Sequence, residues 1–174
     1  MLKGKIITLR PVLEADLDRL YQYHIDIDTR GDFYPRDVVS QSTFRKRFYD
    51  SGYWGDTEGM LLIVNAGDEI LGEIEFFKTV NYLHEYEIGY RLYAPDQSGK
   101  GAMTEALGLM VRYLFETKPI NRVRLMIHPD HVASARVAEK CGFTYEGTAR
   151  QVWYNLGRYQ DLRVFAILRD DVIP

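Results

Sequence analysis

The sequence predicts a mixed α/β fold in a single domain. Three observations carry that prediction. At 174 residues the chain has the length of one domain and can bury a sizeable core. Stretches of period-two alternation interleave with stretches whose apolar residues recur at helical spacing, in the order β-α-α-β-β-β-α-β-α-β-β. No repeat, low-complexity tract or linker divides the chain, so residues 1–174 read as one unit.

Ile6–Arg10 (IITLR) reads as the first strand, closed by Pro11. Glu14, Ala15, Asp16 and Leu17 then open a helix whose early acids suit the helix dipole. Leu13, Leu17, Leu20 and Tyr21 supply its buried face. Residues 25–40 (IDIDTRGDFYPRDVVS) have no period and contain Gly31 and Pro35. An irregular stretch of that length in a compact domain is usually a functional lid or disordered. Phe33 and Tyr34, set among Asp26, Asp28, Asp32 and Asp37, favour the lid. Ser40 or Ser42 can cap a second short helix running to about Tyr49, and Gly52 ends it.

Met60–Val64 and Glu69–Lys78 read as strands joined through Asn65-Ala66-Gly67-Asp68, a hairpin signal. In Tyr86–Tyr93, Tyr86, Ile88, Tyr90 and Leu92 alternate with Glu87, Gly89, Arg91 and Tyr93, a strand with its acid on the less apolar face. The stretch Asp96–Glu116 follows. In it Met103, Ala106, Leu107, Met110, Val111, Leu114 and Phe115 form one helical stripe. After Pro119, Arg122–His128 alternates as a strand, Pro129-Asp130-His131 turns, and Val132–Lys140 forms a helix with Gly142 just past its end. Phe143–Tyr154 and Arg163–Leu168 are the last strands, joined through Asn155-Leu156-Gly157-Arg158.

The candidate binding element is the loop Ser98-Gly99-Lys100-Gly101, set between a strand and a strongly periodic helix. Glycines there let backbone N–H groups converge on an anion that the helix dipole also favours, so a phosphate-bearing ligand is one reading and a plain tight turn the other. Neither G-x-x-x-x-G-K-[ST] nor a strand-following G-x-G-x-x-G is present, which disfavours ordinary nucleoside-triphosphate and dinucleotide loops.

Composition narrows the classes further. A net charge of −3 argues against non-specific nucleic-acid binding. No apolar run approaches the roughly 20 residues that span a bilayer, and no signal peptide is visible, so no membrane partner is expected and the cytoplasm is the default. A single cysteine, Cys141, excludes an internal disulfide and reads as a small core residue. His24, His84, His128 and His131 lack metal-ligand spacing, and no metal is expected.

Two runs carry a family likeness. Ser98-Gly99-Lys100-Gly101-Ala102-Met103-Thr104-Glu105-Ala106 resembles the acyl-CoA loop of the GNAT N-acetyltransferases, Gln/Arg-x-x-Gly-x-Gly/Ala, often continued by Thr-Glu-Ala. His131–Phe143 resembles that family's Asn-x-x-Ser helix ending in Glu-Lys-x-Gly-Phe. Leu9-Arg10-Pro11, Ala15-Asp16-Leu17, Glu146-Gly147, Arg150, Gly157 and Asp161 are spaced as in the branch of ribosomal-protein N-terminal acetyltransferases. The likeness spans nearly the whole chain in order. It departs at Ser98, where Gln or Arg is usual, at Met103, where Gly or Ala is usual, and at His131, where Asn is common. At Ala138 many members carry a tyrosine that protonates the leaving thiolate.

The resemblance implies a mainly antiparallel sheet flanked by helices and an enzyme that transfers an acetyl group from acetyl-CoA to a primary amine by direct attack. The acceptor would be a protein or peptide N-terminus or a small amine such as a polyamine or antibiotic; a non-catalytic acyl-CoA sensor is the alternative of a different class. A homodimer is left open. Coenzyme contacts are implied at Ser98, Gly99, Lys100, Gly101, Ala102, Met103, His131 and Ser134, and an oxyanion donor at the backbone of Leu92 or Tyr93. Lys100 is equally readable as a solvated loop lysine. Ser134 is the candidate thiolate acid in the absence of a tyrosine at 138, against the common fate of a helix-start serine bonding its own backbone. Glu87, on the acceptor strand's polar face a few residues before the presumed thioester site, is the leading base, and Glu75, on the preceding strand, is the second. Phe33, Tyr34 and Trp153 are the candidate acceptor contacts, and the acids of residues 26–37 with Glu75, Glu85 and Glu87 would suit a cation.

Overall fold

The computed structural model describes residues 1–94 and 97–172; Asp96, at the head of the glycine-loop stretch, lies outside them. The strands are β1 (Leu2–Lys3), β2 (Thr8–Pro11), β3 (Glu58–Val64), β4 (Ile70–Phe77), β5 (Glu85–Leu92), β6 (Arg122–Ile127), β7 (Thr144–Asn155) and β8 (Arg158–Leu168). They form one sheet in the order β1-β2-β3-β4-β5-β6-β8-β7. Every neighbouring pair is antiparallel except β5 and β6, which are parallel and joined through a helix, as a parallel pair requires.

The helices α1 (Leu17–Ile25), α2 (Gln41–Ser51), α3 (Ala102–Thr117) and α4 (Val132–Lys140) cover both faces. Leu17 and Leu20 of α1 and Phe44 of α2 bury against Met60, Leu62, Val64 and Ile70 on one side. On the other, the stripe Ala106, Leu107, Met110 and Leu114 of α3 packs on Leu61, Ile63, Ile74, Phe76 and Val123, all but Leu61 wholly or almost wholly inaccessible to solvent. Each such aliphatic side chain contributes about 1.5–3 kcal/mol by leaving water.

Most strand ends fall within two residues of expectation, and three differences are larger or structural. The edge strand β1 is added, paired Leu2↔Leu9 and Lys3↔Thr8. The first long-expected strand starts at Thr8 and not Ile6, because the amides of Lys5, Ile6 and Ile7 turn to the Glu105 carboxylate of α3. The last strand starts at Arg158 and not Arg163. Leu156 and Gly157 both take positive φ, 52° and 76°, closing a two-residue hairpin that pairs Asn155 directly with Arg158.

The feature that positions the site is a split in the middle of the sheet. The parallel pair is joined only at Glu85↔Arg122, Tyr86↔Val123 and Glu87↔Arg124. Beyond that, β5 stays with β4 as far as Leu92↔Gly72, and β6 stays with β8 as far as Ile127↔Arg163. A gap therefore opens between Ile88–Leu92 and Leu125–Ile127.

Candidate active site

Strand alternation determines what faces the gap. The Tyr93 N–H donates to the Leu71 carbonyl at 2.9 Å, on the β4 side. Successive amides point opposite ways, so the backbone groups of Ile88, Tyr90 and Leu92 point into the split, where β6 no longer pairs with them. Of the two expected oxyanion donors, this corrects Tyr93, whose amide already has a partner, and leaves Leu92.

A groove of about 520 Å³ runs from the gap to the start of α3. Of the residues expected to contact the coenzyme, Leu92, Tyr93, Ser98, Gly99, Gly101, Ala102, Met103, His131 and Ser134 line this groove. Gly99 and Gly101 have φ of +77° and +86°, a left-handed conformation that side-chain-bearing residues resist. Gly101 is the N-cap of α3 and makes no side-chain cap, so the N–H groups of the first turn point out of the helix end towards the groove. These residues fit a pyrophosphate-bearing coenzyme. Arg136 and Lys140, one turn apart on α4, add cationic groups to the lining and were missed from sequence; their i, i+4 spacing on the helix beside the glycine loop was the available signal. Lys100 is exposed and does not line the groove, which corrects that expectation: its side chain turns to solvent.

A second cavity, of about 230 Å³, occupies the gap itself and is lined by Phe33, Tyr34, Glu75, Glu87, His128 and Trp153, among others. It shares Phe33, Tyr34, Tyr90, His131 and Ser134 with the groove, so the two cavities meet at those side chains. The irregular segment does lie over the junction. Phe33 stacks on His131 at 4.5 Å, and the Asn155 side chain donates to the Asp32 carbonyl at 2.9 Å. The segment's acids are a different matter. Asp26, Asp28, Asp32 and Asp37 are absent from the cavity lining, and Asp28 and Asp32 face Arg36.

The two candidate bases part company. Glu87 is bound by Arg124 Nε at 3.0 Å, and Arg124 also reaches Glu85, itself buried and held by Arg122. Burial pushes the Glu87 carboxyl up while Arg124 draws it back. The Glu75 carboxylate makes no hydrogen bond or ion pair among the described residues. It lies opposite Gly89, where a Cβ would come within 3.0 Å of its Oε1. Burial and the neighbouring charge of Glu73 push it up to about 7.

Behind the cavity is a buried polar cluster that the sequence did not reveal. Glu73 accepts from Arg91 Nε at 2.8 Å, from Tyr34 at 3.1 Å and from Tyr93 at 2.7 Å, and lies 3.1 Å from His24 Nε2. Burial opposes its charge, but the bonds from His24 and Tyr93 and the Arg91 guanidinium hold it down at about 2. Its members come from four separate stretches of chain, and no local pattern joins them.

On α4, Ser134 is buried, and its Oγ lies 2.8 Å from the Tyr90 hydroxyl, so it is not bonded to its own helix start. Cys141 is half-buried against the core and not, as expected, within it; it donates to the Thr104 carbonyl at 3.3 Å, and burial pushes its thiol up to about 11. Among the described residues no group of three or more His, Cys, Asp or Glu side chains is placed to hold a metal, and no helix is long and apolar enough to cross a membrane.

Residues 7–144 match the family described as acetyltransferase (GNAT) domain. The chain is 32% identical over 181 residues to a probable N-acetyltransferase, YjcK, of Bacillus subtilis, covering 98% of both chains. Among solved structures it resembles RimL, a ribosomal L7/L12 alpha-N-protein acetyltransferase in complex with coenzyme A, at 25% identity and TM-score 0.79 over 97% of each chain. It shares its fold with spermidine N-acetyltransferase from Vibrio cholerae, at 19% identity and TM-score 0.81 over 98% of this chain and 100% of that one. A split sheet whose gap meets an anion-cradling helix end is thus explained: the chain belongs to the GNAT family and is an acetyl-CoA-dependent N-acetyltransferase.

Proposed function

We propose that the acceptor is the α-amine of a peptide or protein N-terminus, and that Glu75 takes its proton. The observation that carries this reading is a carboxylate at about 7, without an ion-pair partner among the described residues, in the cavity that joins the coenzyme groove. An α-ammonium group has a pKa of roughly 7.7–8.0, so transfer of its proton to such a carboxylate is uphill by about one unit; a lysine-like amine near roughly 10.4 would cost over three. Glu87 adds little net charge because Arg124 matches it. When bound, acetyl-CoA supplies the activated acyl group. The Leu92 N–H, fixed on a strand and facing the gap, is the donor for the developing oxyanion. Phe33, Tyr34 and Trp153 wall the acceptor cavity. RimL, named as an alpha-N-protein acetyltransferase, supports the same acceptor class.

A small polycation is the second reading. It is favoured by the aromatic rings of Phe33, Tyr34 and Trp153 around Glu75 and Glu87, a lining that attracts ammonium groups. Thiol release measured over a panel of N-terminal peptides, amino acids and polyamines decides. The expected result is the highest kcat/KM with peptides. Uniform preference for polyamines would reject the α-amine reading. Glu75→Gln is expected to lower kcat about 100-fold or more and to abolish the fall in rate below about pH 7. Glu87→Gln is expected to do neither.

A further inference from the structure

The family likeness leaves a gap in the chemistry: Ala138 occupies the position at which a tyrosine commonly protonates the departing thiolate. Five side chains stand where the two cavities meet, and three of them can be set aside as the proton source. Phe33 carries no proton to give. The Tyr34 hydroxyl donates to Glu73 at 3.1 Å. Burial and nearby His128 keep the His131 pKa below its usual value, so its imidazole is neutral and a very weak acid. Tyr90 and Ser134 remain. They come from opposite walls, strand β5 and helix α4, and their hydroxyl oxygens lie 2.8 Å apart. Both line both cavities.

We propose that Tyr90 is the acid of the reaction, delivering its proton through the Ser134 hydroxyl to the sulfur of the departing coenzyme. The phenol comes from strand β5 and the serine from α4; Ala138 is buried in the core and lines neither cavity. In the transfer, the acceptor nitrogen forms its bond to the acyl carbon as the C–S bond breaks, and that electron pair goes to sulfur. Sulfur takes the Ser134 proton and Ser134 Oγ takes the Tyr90 proton. The proton lost by the amine goes to Glu75, and exchange with solvent returns Glu75 to the carboxylate and Tyr90 to the phenol, so that an N-acetyl amine and a free thiol leave. A phenol suits the first position because it is a stronger acid than an aliphatic hydroxyl. Burial pushes its pKa up, to about 12, so it stays protonated through the neutral range. Serine suits the second because one hydroxyl accepts and donates at once.

The inference rests on the amine-acetylation reading, and the experiment separates the two. Acetyl-CoA binding is followed by calorimetry and kcat by thiol release for the wild type, for Tyr90→Phe and for a protein carrying 3,5-difluorotyrosine at position 90. Tyr90→Phe keeps the ring that packs in the core. It is expected to lower kcat by roughly 100-fold with coenzyme affinity unchanged. The difluorinated phenol, of the same shape and lower pKa, is expected to bring an alkaline fall in kcat into the measurable range that the wild type lacks. A Tyr90→Phe protein with kcat within about twofold of wild type, or a loss confined to coenzyme affinity, overturns the proton route alone. So does a difluorinated protein whose pH profile superimposes on the wild type. A wild-type protein that releases no thiol with any amine overturns the reading beneath it as well.

Discussion

Glu75 and Glu87 show how far a single residue's role depends on its neighbours. Both sit on the same sheet face, on adjacent strands, and both line the cavity. Arg124 from β6 claims one, and no side chain among the described residues pairs with the other. The sequence ranked Glu87 first and Glu75 second; the base proposed above is Glu75, because what separates them is Arg124, 37 residues beyond Glu87. The raised carboxyl of Glu75 has a consequence for stability. Its carboxyl, pushed up to about 7, lies above the ordinary glutamate value of 4.5, so its contribution is full below about 4.5 and is lost as pH rises through about 7. Glu75→Gln is therefore expected to raise Tm relative to wild type at pH 8 and not at pH 4, measured by calorimetry across pH. Gly101 is the other residue whose role is local. With φ +86° and the Ile6 Cδ1 atom 3.4 Å from a Cβ placed there, Gly101→Val forces the loop to move. The expected outcome is at least tenfold weaker acetyl-CoA binding in calorimetry.

At the scale of elements, α3 does more than present its first turn. Its Glu105 carboxylate accepts the backbone N–H groups of Lys5, Ile6 and Ile7, the last two at 2.8 and 2.9 Å, and so fastens the N-terminal segment over the helix start. The far end of the same helix is closed by Arg169, which donates to the carbonyls of Phe115, Lys118 and Ile120. Glu105→Ala orphans three amides, and the expected cost is about 2 kcal/mol in a urea titration, with coenzyme binding weakened because Ile6 packs beside Gly101. The Thr-Glu-Ala run was legible as part of a motif. That its glutamate is a clasp for residues 5–7 was not, since the partners lie about a hundred positions away.

For the whole molecule, the buried cluster around Glu73 ties the irregular segment, α1 and the two central strands into one unit. Tyr34 and Tyr93 donate to it, His24 abuts it, and the Arg91 guanidinium sits 4.4 Å from the Tyr34 ring centre. Arg91→Met leaves a fully buried carboxylate without its cation. The expected loss is about 3 kcal/mol in the denaturant midpoint, accompanied by faster proteolysis within residues 25–40, which the cluster anchors through Tyr34. A variant that keeps both wild-type stability and wild-type resistance would show the cluster to be incidental.

By itself the sequence determined the elements except the two-residue edge strand β1, because their signals are local: apolar periodicity, caps, glycines at turns, and a helix that follows a glycine loop. It also determined the family, because the loop and the α4 helix keep their motifs in order. The tertiary structure decided the rest. Where β5 parts from β6, which amide faces the gap, which carboxylate keeps no cation and which phenol meets Ser134 are all properties of segments far apart in the chain. Strand divergence and cross-chain hydrogen bonds arise from packing summed over the whole sheet, and a local window of residues carries no record of that sum.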